Sequence, residues 1–301
     1  ESAKNSKAAS PAASSPKEQE LPPQTHHFKL ENIDKKAMLG EGQFGQVWLV
    51  TDKSEVKAHP YALKIQSKFD LCNQNQADVC IREKEIMFRM NHPMIIKLFA
   101  TFQDTHFLYL LLDMVNGGEL FSLIYPMDDS RDMVLPEHQS KFYAYVLCDI
   151  LKYIHEKNYV FRDLKPENVL ISSTGYPILV DFGFCKRIAR DEKSFTLCGT
   201  PGYLSPEMVL SLGHNFAVDH WALGILVYEM LCKENYFYMD GIDFTMLYRS
   251  IAEDKFMVPT GKCSKEACDF MDGLLQKDPV FRLGSLAGGE DDLLQHPWFA
   301  S

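Results

Sequence analysis

No stretch of this 301-residue chain approaches the roughly 18 consecutive apolar residues that a membrane-spanning helix needs. The chain also lacks a CxxC pair. Its eight cysteines (Cys72, Cys80, Cys148, Cys185, Cys198, Cys232, Cys263 and Cys268) are scattered, which disfavours zinc and a disulfide framework. A chain of this length can build a core without cross-links, so reduced thiols in a cytoplasmic or nuclear compartment are expected. Positive charge is scarce. Against 41 Asp and Glu there are 31 Lys and Arg, and the net charge of −10 argues against nucleic acid or an anionic membrane as main partner. A basic peptide substrate remains compatible with that charge. No internal repeat is found. The first residue is Glu rather than Met, so a fragment or processed form is expected, and no signal peptide is read in it.

An apolar content of 46% and a charged content of 24% are those of a globular protein. Residues 1–27 are rich in Ser, Ala, Pro, Lys and Gln; they cannot bury a core and read as a disordered tail or linker. Structured sequence begins near Phe28. Strands are predicted at Val47–Val50, Tyr61–Ile65 and Leu108–Met114, and a helix over Ala77–Met90. Val115-Asn116-Gly117-Gly118 breaks the pattern, as a hinge does. Beyond it the spacing predicts helices over Gln139–Glu156 and Val218–Leu231, the second almost wholly apolar and hence buried. Asp128–Asp132 is expected to be an exposed polar loop.

The densest chemistry lies in Asp163-Leu164-Lys165-Pro166-Glu167-Asn168, followed thirteen residues later by Asp181-Phe182-Gly183. This order offers a proton acceptor (Asp163), a cation (Lys165) and two oxygen ligands suited to magnesium (Asn168, Asp181), the set that phosphoryl transfer from ATP requires. Taken alone, Asp163 is equally a loop cap. Upstream, Gly40-Glu41-Gly42-Gln43-Phe44-Gly45-Gln46-Val47 fits G-x-G-x-x-G-x-V, whose glycines let backbone N–H groups approach phosphate oxygens. By itself that pattern is also a plain turn or a dinucleotide loop, but the strand that follows it favours a glycine-rich hairpin over a nucleotide. Lys64, nineteen residues past Gly45, sits among Ala62, Leu63 and Ile65, where an ammonium is costly without a partner or a route to solvent. Glu83 and Glu85 both fall in the following helix as candidate partners.

With these motifs in place the chain resembles a eukaryotic protein kinase over roughly Phe28–Phe299. Within kinases it is similar to the AGC group, and to the cyclic-AMP- and cyclic-GMP-dependent kinases in particular. Val160–Asn168, Asp181–Phe184, Thr196–Pro201 and Trp221–Gly224 carry that likeness. The resemblance implies an α+β, bilobal fold: a β-rich N-lobe (28–112) with one main helix, a hinge (113–118) and a helical C-lobe (119–301). It favours Glu83 as the partner of Lys64. It implies ATP and Mg²⁺ as cofactors, with the nucleotide held by Gly40, Glu41, Gly42, Gln43, Phe44, Gly45, Val47, Ala62, Lys64, Leu112, Asp113, Val115, Glu119, Glu167, Asn168, Leu170 and Asp181. Of these, Val47, Ala62 and Leu170 would sandwich adenine, Leu112 would be the gatekeeper, and Asp113 and Val115 would supply hinge hydrogen bonds. Thr200 would contact Asp163 and Lys165, Glu207 would pair with Arg282, and Asp219 would hold the catalytic-loop backbone. Thr196 is the implied activating phosphosite, with Arg162 and Lys186 as its basic partners. Glu119, Glu167 and Glu229 would bind arginines upstream of the target residue, and Leu197, Pro201 and Leu204 would receive the apolar residue after it. Protein substrates with basic motifs follow, along with a regulatory subunit or cyclic-nucleotide-binding domains outside these residues.

Several positions depart from the family pattern. Phe161 stands where His or Tyr is usual and keeps a ring to pack on Phe182. Gly202 replaces a glutamate, removing one acid from the peptide groove. Ser205-Pro206-Glu207 replaces Ala-Pro-Glu, and Val79 replaces a helix histidine. The sequence ends at Ser301, before the C-terminal tail that wraps the small lobe in this group would be expected, whether trimmed or naturally missing. An active kinase is expected; a pseudokinase scaffold and a non-protein kinase of the same fold are the alternatives. Lys165 and Thr200 match the Ser/Thr rather than the tyrosine pattern.

Overall fold

The computed structural model describes residues 28–42, 45–74, 76–126, 134–258 and 261–300. Gln43, Phe44, the predicted tail and the Asp128–Asp132 loop lie outside the described residues. The chain adopts the expected α+β architecture. Five strands form one antiparallel sheet: β1 (Ile33–Gly42), β2 (Gly45–Asp52), β3 (Pro60–Ser67), β4 (Leu98–Gln103) and β5 (Phe107–Asp113), in the order β1-β2-β3-β5-β4. Between β3 and β4 come α1 (Lys68–Asn73) and α2 (Ala77–Arg89). The sequence patterns locate β2, β3, β5 and α2 but miss α1, whose start is capped by Ser67 accepting from the Asp70 amide.

Register decides which side chains share a face. Val47 lies opposite Lys64, and Ala62 lies opposite both Leu49 and Leu112. Because alternate residues of a strand point the same way, Val47, Ala62, Lys64 and Leu112 line one face of the sheet. The other face packs Val50, Leu63 and Leu111, none of them exposed, with Tyr61, Ile65 and Ala100. The chain then crosses residues 114–118 without helix or strand. Gly117 donates its N–H to Ile171 O at 2.8 Å, and a Cβ there would stand 2.3 Å from that oxygen, so no side chain fits. Gly118 follows with a left-handed φ of 81°.

Helices build the remainder: α3 (Leu120–Ile124), α4 (Glu137–Glu156), α5 (Pro206–Val209), α6 (Ala217–Cys232), α7 (Phe244–Glu253), α8 (Lys265–Leu274), α9 (Glu290–Leu294) and α10 (Pro297–Ala300). Short strands β6 (Tyr159–Val160), β7 (Val169–Ile171), β8 (Pro177–Leu179) and β9 (Lys186–Arg187) pair as β6–β9 and β7–β8. All 16 residues of α6 are buried, as its almost wholly apolar character predicts, and Leu223, Ile225 and Leu226 sit in the main core with Leu147 and Leu151 of α4. Arg282 braces this lobe. It donates from Nη1 and Nη2 to Glu207 Oε1 and Oε2 at 2.7 and 2.9 Å, and to the carbonyls of Ala217 and Gln276. Both partners are buried, so neither charge has water as an alternative. Arg282→Ala is therefore expected to destabilise the fold by about 3–5 kcal/mol, read by denaturant unfolding. A loss within about 0.5 kcal/mol, typical of a surface change, would show that the pair does not brace the lobe.

Candidate active site

The loop between β6 and β7 carries Asp163, Lys165 and Asn168. Its backbone turns through a left-handed φ of 71° at Arg162, a conformation that costs on the order of 1–3 kcal/mol unless the surroundings impose it. The surroundings here are Asp219. Its fully buried carboxylate accepts the Phe161 N–H at 2.8 Å and the Arg162 N–H at 2.7 Å, while His155 Nε2 meets the same carboxylate at 2.8 Å. Phe161 packs edge-on against Phe182 at 5.3 Å, both rings wholly buried, so an apolar ring serves at this position.

Three polar side chains then close on Asp163. Thr200 Oγ1 donates to Asp163 Oδ1 at 2.8 Å and accepts from Lys165 Nζ at 2.8 Å. Asn168 Nδ2 donates to Asp163 O and Oδ2, each at 2.8 Å. Burial raises the Asp163 carboxyl above the ordinary aspartate value; Lys165, Thr200 and Asn168 oppose this and the Asp181 charge adds to it. The result is a carboxylate more basic than usual and held in one orientation.

Lys64 Nζ meets Glu83 Oε1 at 2.8 Å. Glu83 is buried and Glu85 exposed, which resolves the choice the sequence leaves open. Two residues apart on a helix are turned by about 200°, so only one of them can face the sheet. Burial works against the Lys64 charge, but Glu83 and Asp181 outweigh it and hold the ammonium charged. A cavity of about 340 Å³ joins these groups: Gly45, Val47, Lys64, Glu83, Asp163, Lys165 and Asp181 line it. Val79, at the helix-histidine position, also borders it. Ala62 is buried beside Leu112 in register, and Leu170 on β7 is half-buried, bridged to Glu119. Asp113 and Val115 border a separate cavity of about 220 Å³, and the Asp113 N–H is taken by Lys97 O. Asn168 spends its amide N–H groups on Asp163, and among the described residues Asp181 accepts the Gly183 N–H on Oδ1 alone. That leaves Asn168 Oδ1 and Asp181 Oδ2 as hard oxygen donors, a set that fits magnesium.

Thr196 is exposed, and the cations assigned to it converge elsewhere. Arg162 Nη1 and Lys186 Nζ donate to Ser194 Oγ at 3.3 and 3.1 Å, and Ser194 is buried. His214 completes this cluster, its Nε2 at 3.5 Å from Arg162 Nη1. Burial and then the Arg162 charge push its pKa down to about 4, so it stays neutral. Ser194 and His214 have no sequence signature, since their roles come only from the loop's path.

Of the substrate candidates, Glu119 and Glu167 are exposed, and Glu229 is buried with Tyr203 and Tyr125 donating to its two oxygens. Burial and then the Glu167 charge raise the Glu119 carboxyl, and burial together with Glu167 raises that of Glu229. The three therefore form one electrostatic cluster. Leu197 is exposed, Pro201 half-buried and Leu204 buried in the core, so Leu197 and Pro201 provide the accessible apolar surface. A Cβ on Gly202 would lie 2.8 Å from Tyr238 Cβ and 3.0 Å from the Asn235 side chain; these residues fill the space a glutamate would need.

A hairpin sheet over a cleft, a Lys–Glu pair, a carboxylate-hung catalytic loop and a buried Arg–Glu brace together define a protein kinase domain. Residues 33–299 match the family described as protein kinase domain, and the chain belongs to that family. It is 38% identical to the cAMP-dependent protein kinase catalytic subunit of Arthrobotrys oligospora, over 91% of this chain and 50% of that protein. It is also 38% identical to the cGMP-dependent protein kinase egl-4 of Caenorhabditis elegans, over 90% of this chain and 34% of that protein. The human cAMP-dependent protein kinase catalytic subunit PRKX is 38% identical over 95% of this chain and 76% of its own length. The chain thus spans about half the length of the first relative and about a third of the second.

Asp219→Asn would set an amide NH₂ against one of the buried donors it now serves. The expected cost is about 1–3 kcal/mol in unfolding free energy, with slower amide exchange lost at Phe161 and Arg162. Unchanged exchange at those two amides would exclude Asp219 as the loop's anchor.

Proposed function

We propose that this chain is the catalytic domain of a serine/threonine protein kinase that moves the γ-phosphate of ATP to Ser or Thr in basic peptide motifs. The observation that supports it most is the closed Asp163–Thr200–Lys165 triangle, with hydrogen bonds of 2.8 Å on both sides of the threonine hydroxyl. A hydroxyl arriving beside Asp163 finds a carboxylate of raised basicity, oriented to accept its proton. Lys165, fixed by Thr200, places a cation beside the same oxygen, and Lys64, kept charged by Glu83, places a second on the nucleotide side. Asn168 and Asp181 would hold magnesium, which when bound supplies positive charge to the phosphates. The intact Lys64–Glu83 pair weighs against the scaffold reading.

Glu119, Glu167 and Glu229 support a preference for arginine before the target residue. The Glu167 charge raises the cost of charge on Glu119 and on Glu229, and a guanidinium relieves that cost. Gly202, enclosed by Tyr238 and Asn235, supports a weaker demand for a more distant arginine. Thr196 remains the proposed activating phosphosite: a phosphate on this exposed residue would need Arg162 and Lys186 to leave Ser194. Regulation is proposed to come through a partner subunit or an attached cyclic-nucleotide-binding domain, because the relatives are named for dependence on cyclic AMP or cyclic GMP. No helix among the described residues is long and apolar enough to cross a membrane. Eight free thiols support a cytoplasmic or nuclear setting.

Transfer from Mg-ATP to an Arg-Arg-Ala-Ser-Leu peptide tests the reading. Asp163→Asn is expected to lower kcat by about 10²–10⁴-fold; absence of transfer by the wild type carrying phosphate on Thr196 would move the weight to a scaffold. Glu167→Gln is expected to raise KM for that peptide by about 10-fold with kcat little changed, the loss of one charge-assisted bond, and an unchanged KM would remove Glu167 from arginine recognition. Turnover needs Asp163 ionised, so it is present above the Asp163 pKa and lost as pH falls through it. Because that pKa is raised, the acid limb of kcat is expected above the ordinary aspartate value of 3.8; a limb at or below it would contradict the assigned role.

A further inference from the structure

Behind the catalytic loop, side chains from three helices meet at the base of the large lobe. His155 lies at the end of α4, His220 in the first turn of α6, and Glu290 opens α9. Their donor atoms all lie within 4.8 Å of one another. His155 Nδ1 is 2.9 Å from Glu290 Oε1, and His220 Nε2 is 3.8 Å from the same oxygen. His220 is 1% exposed, yet neither of its ring nitrogens has a hydrogen-bond partner among the described residues. On one side the ring is closed in by backbone. Gly284 packs on it so closely that a Cβ there would stand 2.6 Å from Cε1. A buried histidine with two unused nitrogens, aimed at a carboxylate but too far to bond it, is an unmet coordination valence.

We propose that His155 Nδ1, His220 Nε2 and the Glu290 carboxylate form a binding site for a zinc-class divalent ion, with Asp219 orienting His155 from behind. Two imidazoles and one carboxylate are an established donor set for zinc, whereas magnesium seeks oxygen alone. Tetrahedral zinc sets its donor atoms about 3.3 Å apart at ordinary Zn–N lengths, between the 2.9 and 3.8 Å observed. The Glu290 side chain is partly exposed, so a water can reach the fourth position. Asp219 receives the other nitrogen of His155 at 2.8 Å, the carboxylate–histidine arrangement that fixes a metal-bound ring.

Without metal, carboxylates face both nitrogens of His155, so both carry protons. Neither nitrogen of His220 is engaged by a hydrogen bond among the described residues, so a ring lone pair is available to an ion. On binding, the ion takes the place of the proton on His155 Nδ1; that proton passes to solvent, and Nε2 keeps its proton, donated to Asp219. The ion would join α4, α6 and α9 and reach the catalytic-loop amides through Asp219.

The test is cobalt titration of the metal-stripped chain in the presence of magnesium, with zinc added afterwards. The expected result is one Co²⁺ per chain with visible d–d bands and no thiolate charge-transfer band, its displacement by zinc, and a zinc-dependent rise in Tm. His220→Phe, which fills the ring's space without its nitrogens, and Glu290→Gln, at a partly exposed carboxylate, are each expected to weaken binding by more than about 10-fold. If His220→Phe does not fold, Glu290→Gln decides alone. No cobalt uptake, a thiolate band marking Cys263 and Cys268, or binding that both folded variants retain would overturn the site.

Discussion

The Asp219 carboxylate accepts the backbone N–H groups of Phe161 and Arg162 from the centre of the large lobe, and the left-handed turn at Arg162 exists because of it. Asp163, Lys165 and Asn168 follow within six residues, so their positions inherit the accuracy of that anchor. Asp219 can serve because α6 is buried on every side and cannot shift without opening the core. Its own charge is balanced by His155 rather than by water. The same Arg162 whose amide is anchored sends its guanidinium to Phe184 O and Ser194, which couples the loop to the segment that carries Thr200.

Charge placement follows a consistent division. Where a charge must be kept, an opposite charge sits beside it: Glu83 for Lys64, Glu207 for Arg282, Lys165 for Asp163. Where a charge must be received, like charges are grouped instead, as in Glu119, Glu167 and Glu229. In the first arrangement each desolvated ion is offset by its partner, and removing one partner would strand the other. The second is ready for a cation from outside, and this difference separates the nucleotide side from the peptide side of the cleft.

Much of the fold was legible because periodicity is local. β2, β3, β5, α2, α4 and α6 follow directly from apolar spacing. The short strands β6–β9 were not, since two or three residues carry no period and their pairing is set by distant chain, and the six residues of α1 are too few to show one. The candidate site was legible to the extent that its groups cluster in sequence, as Asp163 to Asn168 do. Glu229 was foreseen as a residue but not as a buried one capped by two tyrosines, because Tyr125 lies 104 residues away. The basic partners expected for Thr196 are present but engaged by Ser194, a choice that only the loop's path makes.

By itself the sequence determined the class of chemistry: the order of acceptor, cation and oxygen ligands, the glycine hairpin, and the helix and strand periods that carry them are all properties of short segments. Tertiary structure alone decided which of Glu83 and Glu85 meets Lys64, which carboxylates are accessible to a substrate, and that His155, His220 and Glu290 converge on one point. Side chains 65 and 70 positions apart have no spacing rule to reveal them. Their meeting depends on three helices packing at one register, and packing is settled by the volume of the whole core rather than by any segment of it.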